Sequence, residues 1–169
     1  IEKGMFPAAS VPKLLLLDGQ QRLATISLLL AALGKALDGT RGQTDISREQ
    51  INSYFLFNSQ ERGDFHYKLI LSPGDRDTFI RLIEDRELPL SSSRRLVESY
   101  QFFEKRIHEY GIASNLLYQG VAKLTIVDIS LDREYDNPQI IFESLISTGL
   151  SLTQAKLIRN WLYWLLSVS

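Results

Sequence analysis

The fold is decided by residues 13–37, which read KLLLLDGQQRLATISLLLAALGKAL. The first five of these residues form an apolar run that ends at Asp-Gly, a pattern typical of a short buried strand. After residue 22 the only polar side chains before Lys35 are Thr25 and Ser27, which predicts a helix that is apolar nearly all round and therefore central. The polar run 18–22 lies between the two apolar segments and is the best candidate for a functional site.

The rest of the chain is predicted to be mostly helical, with two further strands. A short helix capped by Ser47 should run to Tyr54, and strands are expected over 66–72 and 122–131. The remaining helices are predicted over 72–84, 96–110, 113–119, 139–147 and 153–166. Because the strands are few and the helices several, the sequence predicts an α+β fold rather than a doubly wound sheet.

The composition limits the domain size, the binding partners and the chemistry that the chain can have. The chain has 169 residues, of which 44% are hydrophobic and 23% charged, and these values fit one compact globular domain over 1–169. The formal net charge of -1 disfavours a basic face over the whole domain, so contact with nucleic acid would have to be local. The absence of cysteine excludes disulfides, cysteine-based zinc sites and a cysteine nucleophile.

The apolar stretches and the two termini indicate where the protein is located and whether the chain is a fragment. No apolar stretch reaches the length of about 18 residues that a membrane helix needs, and the first residues are not a secretory signal. We therefore expect a cytoplasmic protein with no membrane partner. The chain opens on Ile1 rather than methionine and closes just after the apolar run 161–166, which predicts a fragment of a longer protein.

The residues of the polar run leave three interpretations open. Asp18 can cap the helix that follows it. It can instead pair with Arg22, because a guanidinium in the first turn of a helix lies at the positive end of the helix dipole and needs a negative partner. In the functional interpretation, Arg22 and the helix N-terminus receive a phosphate, and Asp18 faces a magnesium ion or an attacking water. Gln20 and Gln21 would then hold the nucleotide or the water, although the run is not a Walker A loop.

A second candidate surface, for DNA, lies at and within the helix predicted over 96–110. Its basic side chains, which could contact DNA phosphates, are Arg94, Arg95, Lys105 and Arg106. Its acidic side chains, which weaken the positive potential, are Glu98, Glu104 and Glu109.

Two distant motifs resemble one protein family. Residues 18–25 read DGQQRLAT, which resembles the DGQQRLTT signature of the ParB-like domain of GmrSD-type restriction endonucleases. Residues 141–160 read IFESLISTGLSLTQAKLIRN, which resembles that family's IFExLNxTGxxLxxxDLIRN segment. The stretch LSPGDRD at 71–77 is a third and weaker match, so the resemblance spans most of the chain.

The resemblance implies a fold and a function. The fold would be a ParB/sulfiredoxin-like small sheet with a largely helical remainder. The domain would bind a nucleoside triphosphate, hydrolyse it with Mg²⁺, and control an HNH-type nuclease that acts on phage or modified DNA in a type IV restriction system. The nuclease domain would follow this chain, and the family's upstream QR segment, PxxQRxxxW, would precede it.

The expected site residues follow from the polar run and the second motif. The expected catalytic residues are Asp18, Gln21 and Arg22, with Asp18 as the magnesium ligand. The expected nucleotide-binding residues are Gly19, Gln20, Gln21, Arg22, Arg159 and Asn160.

Departures from the family pattern favour an alternative without catalysis. Ile146 stands where the family has Asn, and Lys156 stands where it has Asp, so a positive charge would oppose metal binding there. The alternative is a regulatory or assembly module, and nucleotide binding is a safer prediction than hydrolysis. Nuclease chemistry is not expected within this chain, because His66 and His108 lack a neighbouring His or Asn pattern and are predicted to be surface histidines.

Overall fold

The described part of the chain consists of α-helices joined by turns. The computed structural model describes residues 11–16, 18–38, 46–109 and 114–126. Its helices are α1 Gln20–Leu37, α2 Arg48–Ile51, α3 Pro73–Ile83, α4 Arg94–Glu109 and α5 Ser114–Ala122. A π-helical turn, Asn52–Leu56, follows α2, and a 3-10 turn, Gly63–His66, precedes α3. The chain divides into two compact units, Ile1–Leu124 and Thr125–Ser169, and all of these elements belong to the first.

Helix α1 is the centre of this unit. It contacts α2, α3, α4 and α5. Four successive residues, 30–33, are all buried, which a helix with only one covered face could not achieve. The full set of its buried hydrophobic side chains is Ala24, Leu28, Leu30, Ala31, Ala32, Leu33 and Leu37. The prediction of a central, nearly all-apolar helix is therefore confirmed.

Helices α3 and α4 each cover α1 with one face. Helix α3 begins with Pro73, whose fixed φ suits the first turn of a helix, and it buries Phe79 completely. Helix α4 buries Tyr100 and Ile107, and its charged side chains are exposed apart from the partly buried Glu104. Between the two helices, the backbone N–H of Ser93 donates to the buried Thr78 hydroxyl at 2.9 Å. Both helices lie close to their predicted positions.

Helix α2 begins at the predicted cap. The Ser47 hydroxyl accepts from the backbone N–H of Gln50, and the Gln50 side chain accepts from the backbone N–H of Ser47, so each residue satisfies the other's free donor. The helix then widens into the π-helical turn, which ends at the buried Leu56. Ile51 and Leu56 anchor this segment in the core around α1.

The predicted α+β class is wrong for the described residues, because they contain no strand and no sheet. Residues 11–16, the described part of the strand predicted over 13–17, are not assigned to any strand. Residues 122–126, the described part of the last predicted strand, complete α5 and then continue without regular structure. The ParB/sulfiredoxin-like small sheet is therefore not what these residues form.

The strand predicted over 66–72 does not form, because among the described residues no partner strand lies along it. A strand needs a continuous row of hydrogen bonds to a neighbour. Here the antiparallel pairing is limited to a single bridge between Phe57 and Tyr67. On one side of it the N–H of Asn58 donates to His66, and on the other the N–H of Lys68 donates to Leu56. The 3-10 turn occupies the next residues, so the ladder does not extend.

The last helix of the described residues is α5. Helix α5 confirms the short helix predicted over 113–119, while the helices predicted over 139–147 and 153–166 lie outside the described residues. Within the described ranges, no helix has both the length and the apolar character of a membrane span.

Candidate functional site

The candidate site lies where the chain enters α1. Gly19 is the residue before the helix and has φ 85°, in the left-handed region that side chains with a Cβ rarely adopt. Its carbonyl accepts the first hydrogen bond of the helix, from the N–H of Leu23 at 2.9 Å. A Cβ added at Gly19 would come no closer than 3.8 Å to the Arg22 guanidinium. Glycine is therefore required by the backbone angle and not by lack of space.

Asp18 does not cap α1, which corrects one of the three interpretations. The N-cap residue is Gly19, and no side chain of the described residues caps the helix. Instead, the Asp18 carboxylate accepts from the Arg22 guanidinium at 2.7 Å. The two side chains are 62% and 75% exposed, and exposed ion pairs at this spacing stabilise a protein by less than about 1 kcal/mol. The Asp18 to Arg22 ion pair is formed, but breaking it would lower the stability of the chain only slightly.

The two glutamines of the run differ in what they bind. The Gln20 side chain donates to the carbonyl of Leu16 at 2.9 Å and so ties the preceding segment to the start of α1. The carbonyl of Gln21 accepts from the Thr25 hydroxyl at 2.7 Å. The Gln21 side chain is exposed and has no hydrogen bond to any described residue. Of the two side-chain amides, that of Gln21 is the one available to a ligand.

The electrostatics of this helix start favour an anion. The backbone N–H groups of the first turn have no partner within the helix, and they carry the positive end of its dipole. The first turn of α1 contains no acidic residue, and it contains Arg22. Asp18, just outside the helix, supplies the negative charge beside it. A phosphate could take the place of this carboxylate.

The described residues do not fit a magnesium ion held by the protein alone. Mg²⁺ requires near-octahedral coordination by oxygen atoms. Asp18 is one carboxylate and is paired with a cation. Among the described residues, no group of three or more histidine, aspartate or glutamate side chains could hold a metal. The described residues alone therefore do not form a magnesium site, and the phosphates of a bound nucleotide would have to supply further oxygen ligands.

The other predicted site residues cannot be placed beside the run. Arg159 and Asn160, as well as the departures Ile146 and Lys156, lie outside the described residues. The two histidines are placed and are surface residues as predicted. His66 stacks on Phe57 with ring centroids 5.1 Å apart, and His108 is exposed at the end of α4.

Sequence reasoning missed a charged cluster at the opposite end of α1, formed by Lys35, Asp38, Arg48, Asp85 and Glu104. Lys35 binds Asp85 at 2.8 Å and Glu104 at 3.0 Å. Arg48 binds Asp38 and lies 3.5 Å from Asp85. Hydrogen bonds to these carboxylates raise the pKa of Lys35, and the Lys35 ammonium lowers the pKa of Asp85. No sequence spacing indicates the cluster, because its members come from distant segments.

The basic residues considered for DNA are mostly neutralised by neighbours. Arg94 binds Glu98 at 2.6 Å, and Lys105 lies 3.6 Å from Glu109. Arg95 lies 3.7 Å from Asp75 of α3, and the Arg106 guanidinium lies 5.2 Å from the centre of the Phe102 ring. The helix therefore offers no continuous basic stripe.

Comparison with known proteins decides the family. The family model described as GmrSD restriction endonuclease, N-terminal domain, matches residues 5–163. The chain belongs to this family. Comparison with curated proteins gave no match, and comparison with solved structures gave none either.

Membership in the GmrSD N-terminal family confirms the resemblance predicted from the two motifs. The matched range includes both the run 18–22 and the motif 141–160. It places the chain in a restriction system, for which a nuclease and DNA are the implied partners. The match carries no information on a ParB-like relationship, on a nucleotide or on its hydrolysis.

Proposed function

We propose that the chain is a regulatory domain of a restriction system and that it binds a nucleoside triphosphate at the first turn of α1. The observation that carries the proposal is the start of this helix, which combines an exposed arginine, an exposed glutamine amide with no hydrogen bond to the described residues, and a glycine as N-cap residue. Family membership supplies the restriction system in which such a domain would act.

The phosphate would replace Asp18 as the partner of Arg22. A phosphate offers three oxygen acceptors, whereas the Asp18 carboxylate uses one oxygen on the guanidinium. The phosphate could also accept from the backbone N–H groups of the first turn, which have no partner within the helix and which no described side chain caps. Since the ion pair is exposed and weak, the exchange is favourable for a ligand of higher charge.

Asp18, which the phosphate would displace from Arg22, and Gln21 would then have different roles in hydrolysis. Gln21 could orient a water or a nucleotide oxygen through its exposed amide. Asp18, once released from Arg22, would be a free carboxylate beside the phosphate and could accept a proton from an attacking water. These two residues, with Arg22, are the ones we assign to hydrolysis, and Mg²⁺ would enter with the nucleotide.

The alternative function is a regulatory or assembly module without nucleotide chemistry. It is supported by the Asp18 to Arg22 ion pair, which neutralises the arginine without a ligand. Ile146 and Lys156 in the second motif support it as well. In this alternative the polar run only fixes the chain path into α1.

Binding and hydrolysis can be tested separately on the 169-residue chain. Fluorescent GTP, ATP, CTP and UTP are titrated with and without Mg²⁺, and phosphate release is then measured. We expect at least one triphosphate to bind and Arg22→Ala to weaken binding about 10-fold or more, since hydrogen bonds to charged groups contribute about 1.5 to 3 kcal/mol.

Arg94→Ala is the matched control, because Arg94 also lies in the first turn of a helix and also forms an exposed ion pair, with an acid four residues after it instead of four residues before it. It should bind like the unaltered chain. The proposal is rejected if no triphosphate binds, or if both arginine variants lose affinity equally. Binding without phosphate release would support the regulatory role and remove the assignment of catalysis.

A further inference from the structure

Asp85 ends α3 in a conformation that glycine usually supplies. It has φ 56°, and within the described residues no other residue apart from glycine has a positive φ. The N–H of Arg86 donates to the carbonyl of Arg81 at 2.9 Å, and the N–H of Asp85 donates to that of Leu82 at 3.3 Å. This is the Schellman ending of a helix, in which the left-handed residue is most often glycine. An aspartate there carries backbone strain that glycine would avoid.

The Asp85 carboxylate forms ion pairs with other helices, which a glycine at this position could not do. Asp85 binds Lys35 of α1 and lies within ion-pair distance of Arg48 of α2. The same Lys35 also binds Glu104 of α4. The Asp85 side chain, on the turn after α3, thus connects the last turn of α1 with α2, and Lys35 extends the contact to α4.

The packing around Arg48 places α2 directly on α1. A Cβ added at Gly34 of α1 would lie 3.3 Å from the Cγ of Arg48. The Arg48 side chain is 24% exposed and that of Asp85 is 35% exposed, so this pair is more sheltered than the pair at the candidate site. Ions can still reach it, because about a third of the Asp85 side chain faces solvent.

We propose that the charged cluster is a latch that closes the C-terminal end of α1 onto α2, α3 and α4, and that Asp85 is its central residue. The chain keeps a strained aspartate at the end of α3 because the latch needs a carboxylate at that point. Since the latch consists of partly exposed ion pairs, it weakens as ionic strength rises. This inference does not depend on the proposed nucleotide site.

The decisive variant is Asp85→Gly. If Asp85 were only the residue that ends α3, glycine would relieve its backbone strain and raise the Tm of the chain. The latch predicts the opposite sign, a lower Tm, because Lys35 and Arg48 lose their shared partner. Asp85→Asn tolerates the same backbone angle but has no charge, and it should also lower the Tm.

A local measurement separates the latch from general stability. Hydrogen exchange is followed by mass spectrometry in peptides covering 31–38 and 48–56, with a peptide from the start of α4 as reference. Raising salt from about 0.01 M to about 1 M shortens the Debye length from about 30 Å to about 3 Å. We expect exchange to rise several-fold in the first two peptides and little in the reference.

Two variants, each of which removes one carboxylate, test the same prediction. In Asp85→Asn, the same peptides should exchange fast at both salt concentrations, whereas Glu98→Gln, which removes an exposed pair elsewhere, should behave like the unaltered chain. The proposal is overturned if Asp85→Gly raises the Tm, or if salt leaves the exchange of 31–38 unchanged. The salt experiment needs no variant, so it decides the matter even if the Asp85 variants fail to fold.

Discussion

Asp18 and Arg22 are joined by a 2.7 Å hydrogen bond across the start of α1, while no side chain of the described residues caps the helix. An aspartate before a helix usually accepts from the backbone of the first turn. Here it is bound to the arginine instead, so the free backbone donors and the only cation of that turn remain beside each other. This relationship makes Asp18 a competitor of any anion that binds Arg22.

Asp18→Asn should therefore strengthen the binding of nucleoside triphosphate in the absence of Mg²⁺. The change frees Arg22 and removes a negative charge next to the phosphate, and loss of an exposed pair of less than about 1 kcal/mol predicts a gain of up to about 5-fold. Fluorescence titration without Mg²⁺ measures it. Glu109→Gln removes a similar exposed partner, that of Lys105, and should leave affinity unchanged. Weaker binding by Asp18→Asn would show that Asp18 contacts the ligand favourably.

Gly19→Ala should destabilise the chain by about 1 to 2 kcal/mol, because alanine must adopt the left-handed conformation at φ 85°. No atom blocks the added methyl group, so the cost is in the backbone alone. Urea unfolding measures the change. Gly120→Ala is the matched control, since Gly120 lies within α5 with open space around it, and this change should stabilise by about 0.5 to 1 kcal/mol. Equal effects of the two changes would contradict the role assigned to Gly19.

Leu33→Ala should cost about 3 to 5 kcal/mol, because Leu33 is completely buried in the middle of α1 and its removal leaves a cavity. Thermal and urea unfolding measure the loss. Leu90→Ala is the control, as this leucine is fully exposed in the loop between α3 and α4 and should change stability by less than about 0.5 kcal/mol. A small effect of Leu33→Ala would mean that α1 is not the central helix.

Tyr100 should make the chain sensitive to alkaline pH. Burial, followed by the negative charge of Glu104, raises the pKa of Tyr100 to about 12 in the folded chain, above the value of about 10 for an exposed tyrosine. Folding therefore keeps the phenol neutral, and the associated stability is complete below about pH 10 and is lost as pH rises from about 10 to about 12.

The free energy of unfolding, measured against pH for the unaltered chain and for Tyr100→Phe, tests this. The variant has no phenol to ionise, so its stability should fall less over that interval. Lys35, whose pKa is raised mainly by hydrogen bonds to Asp85 and Glu104, keeps both partners in the variant, so the difference between the curves reports Tyr100 together with its charge interaction with Lys35. Parallel curves would contradict a buried, neutral Tyr100.

Local patterns were enough to predict the helices of the described region. The apolar spacing of α1 and α4, Pro73 at the start of α3 and Ser47 before α2 each act within a few residues of the chain. Their hydrogen bonds close within one turn of helix, so the sequence carries the necessary information in one place. The two motifs that identify the family are also continuous stretches of residues.

The sheet could not be predicted in this way. An apolar run such as 13–17 is compatible with a strand, but a strand forms only where a second strand lies beside it. At Tyr67 the neighbouring segment supplies one bridge and then turns away. Whether an apolar run becomes a strand therefore depends on distant parts of the chain.

By itself, the sequence determined the central helix, the polar run at its start and the family to which the chain belongs. The tertiary structure alone decided that Lys35, Arg48 and Asp85 meet at the other end of α1, whereas for Asp18 it selected the ion pair with Arg22 from the local alternatives that the sequence left open. The physical reason is the range of the interactions. Helix periodicity and caps are local, whereas ion pairs between helices exist only after the core around α1 has brought distant residues together.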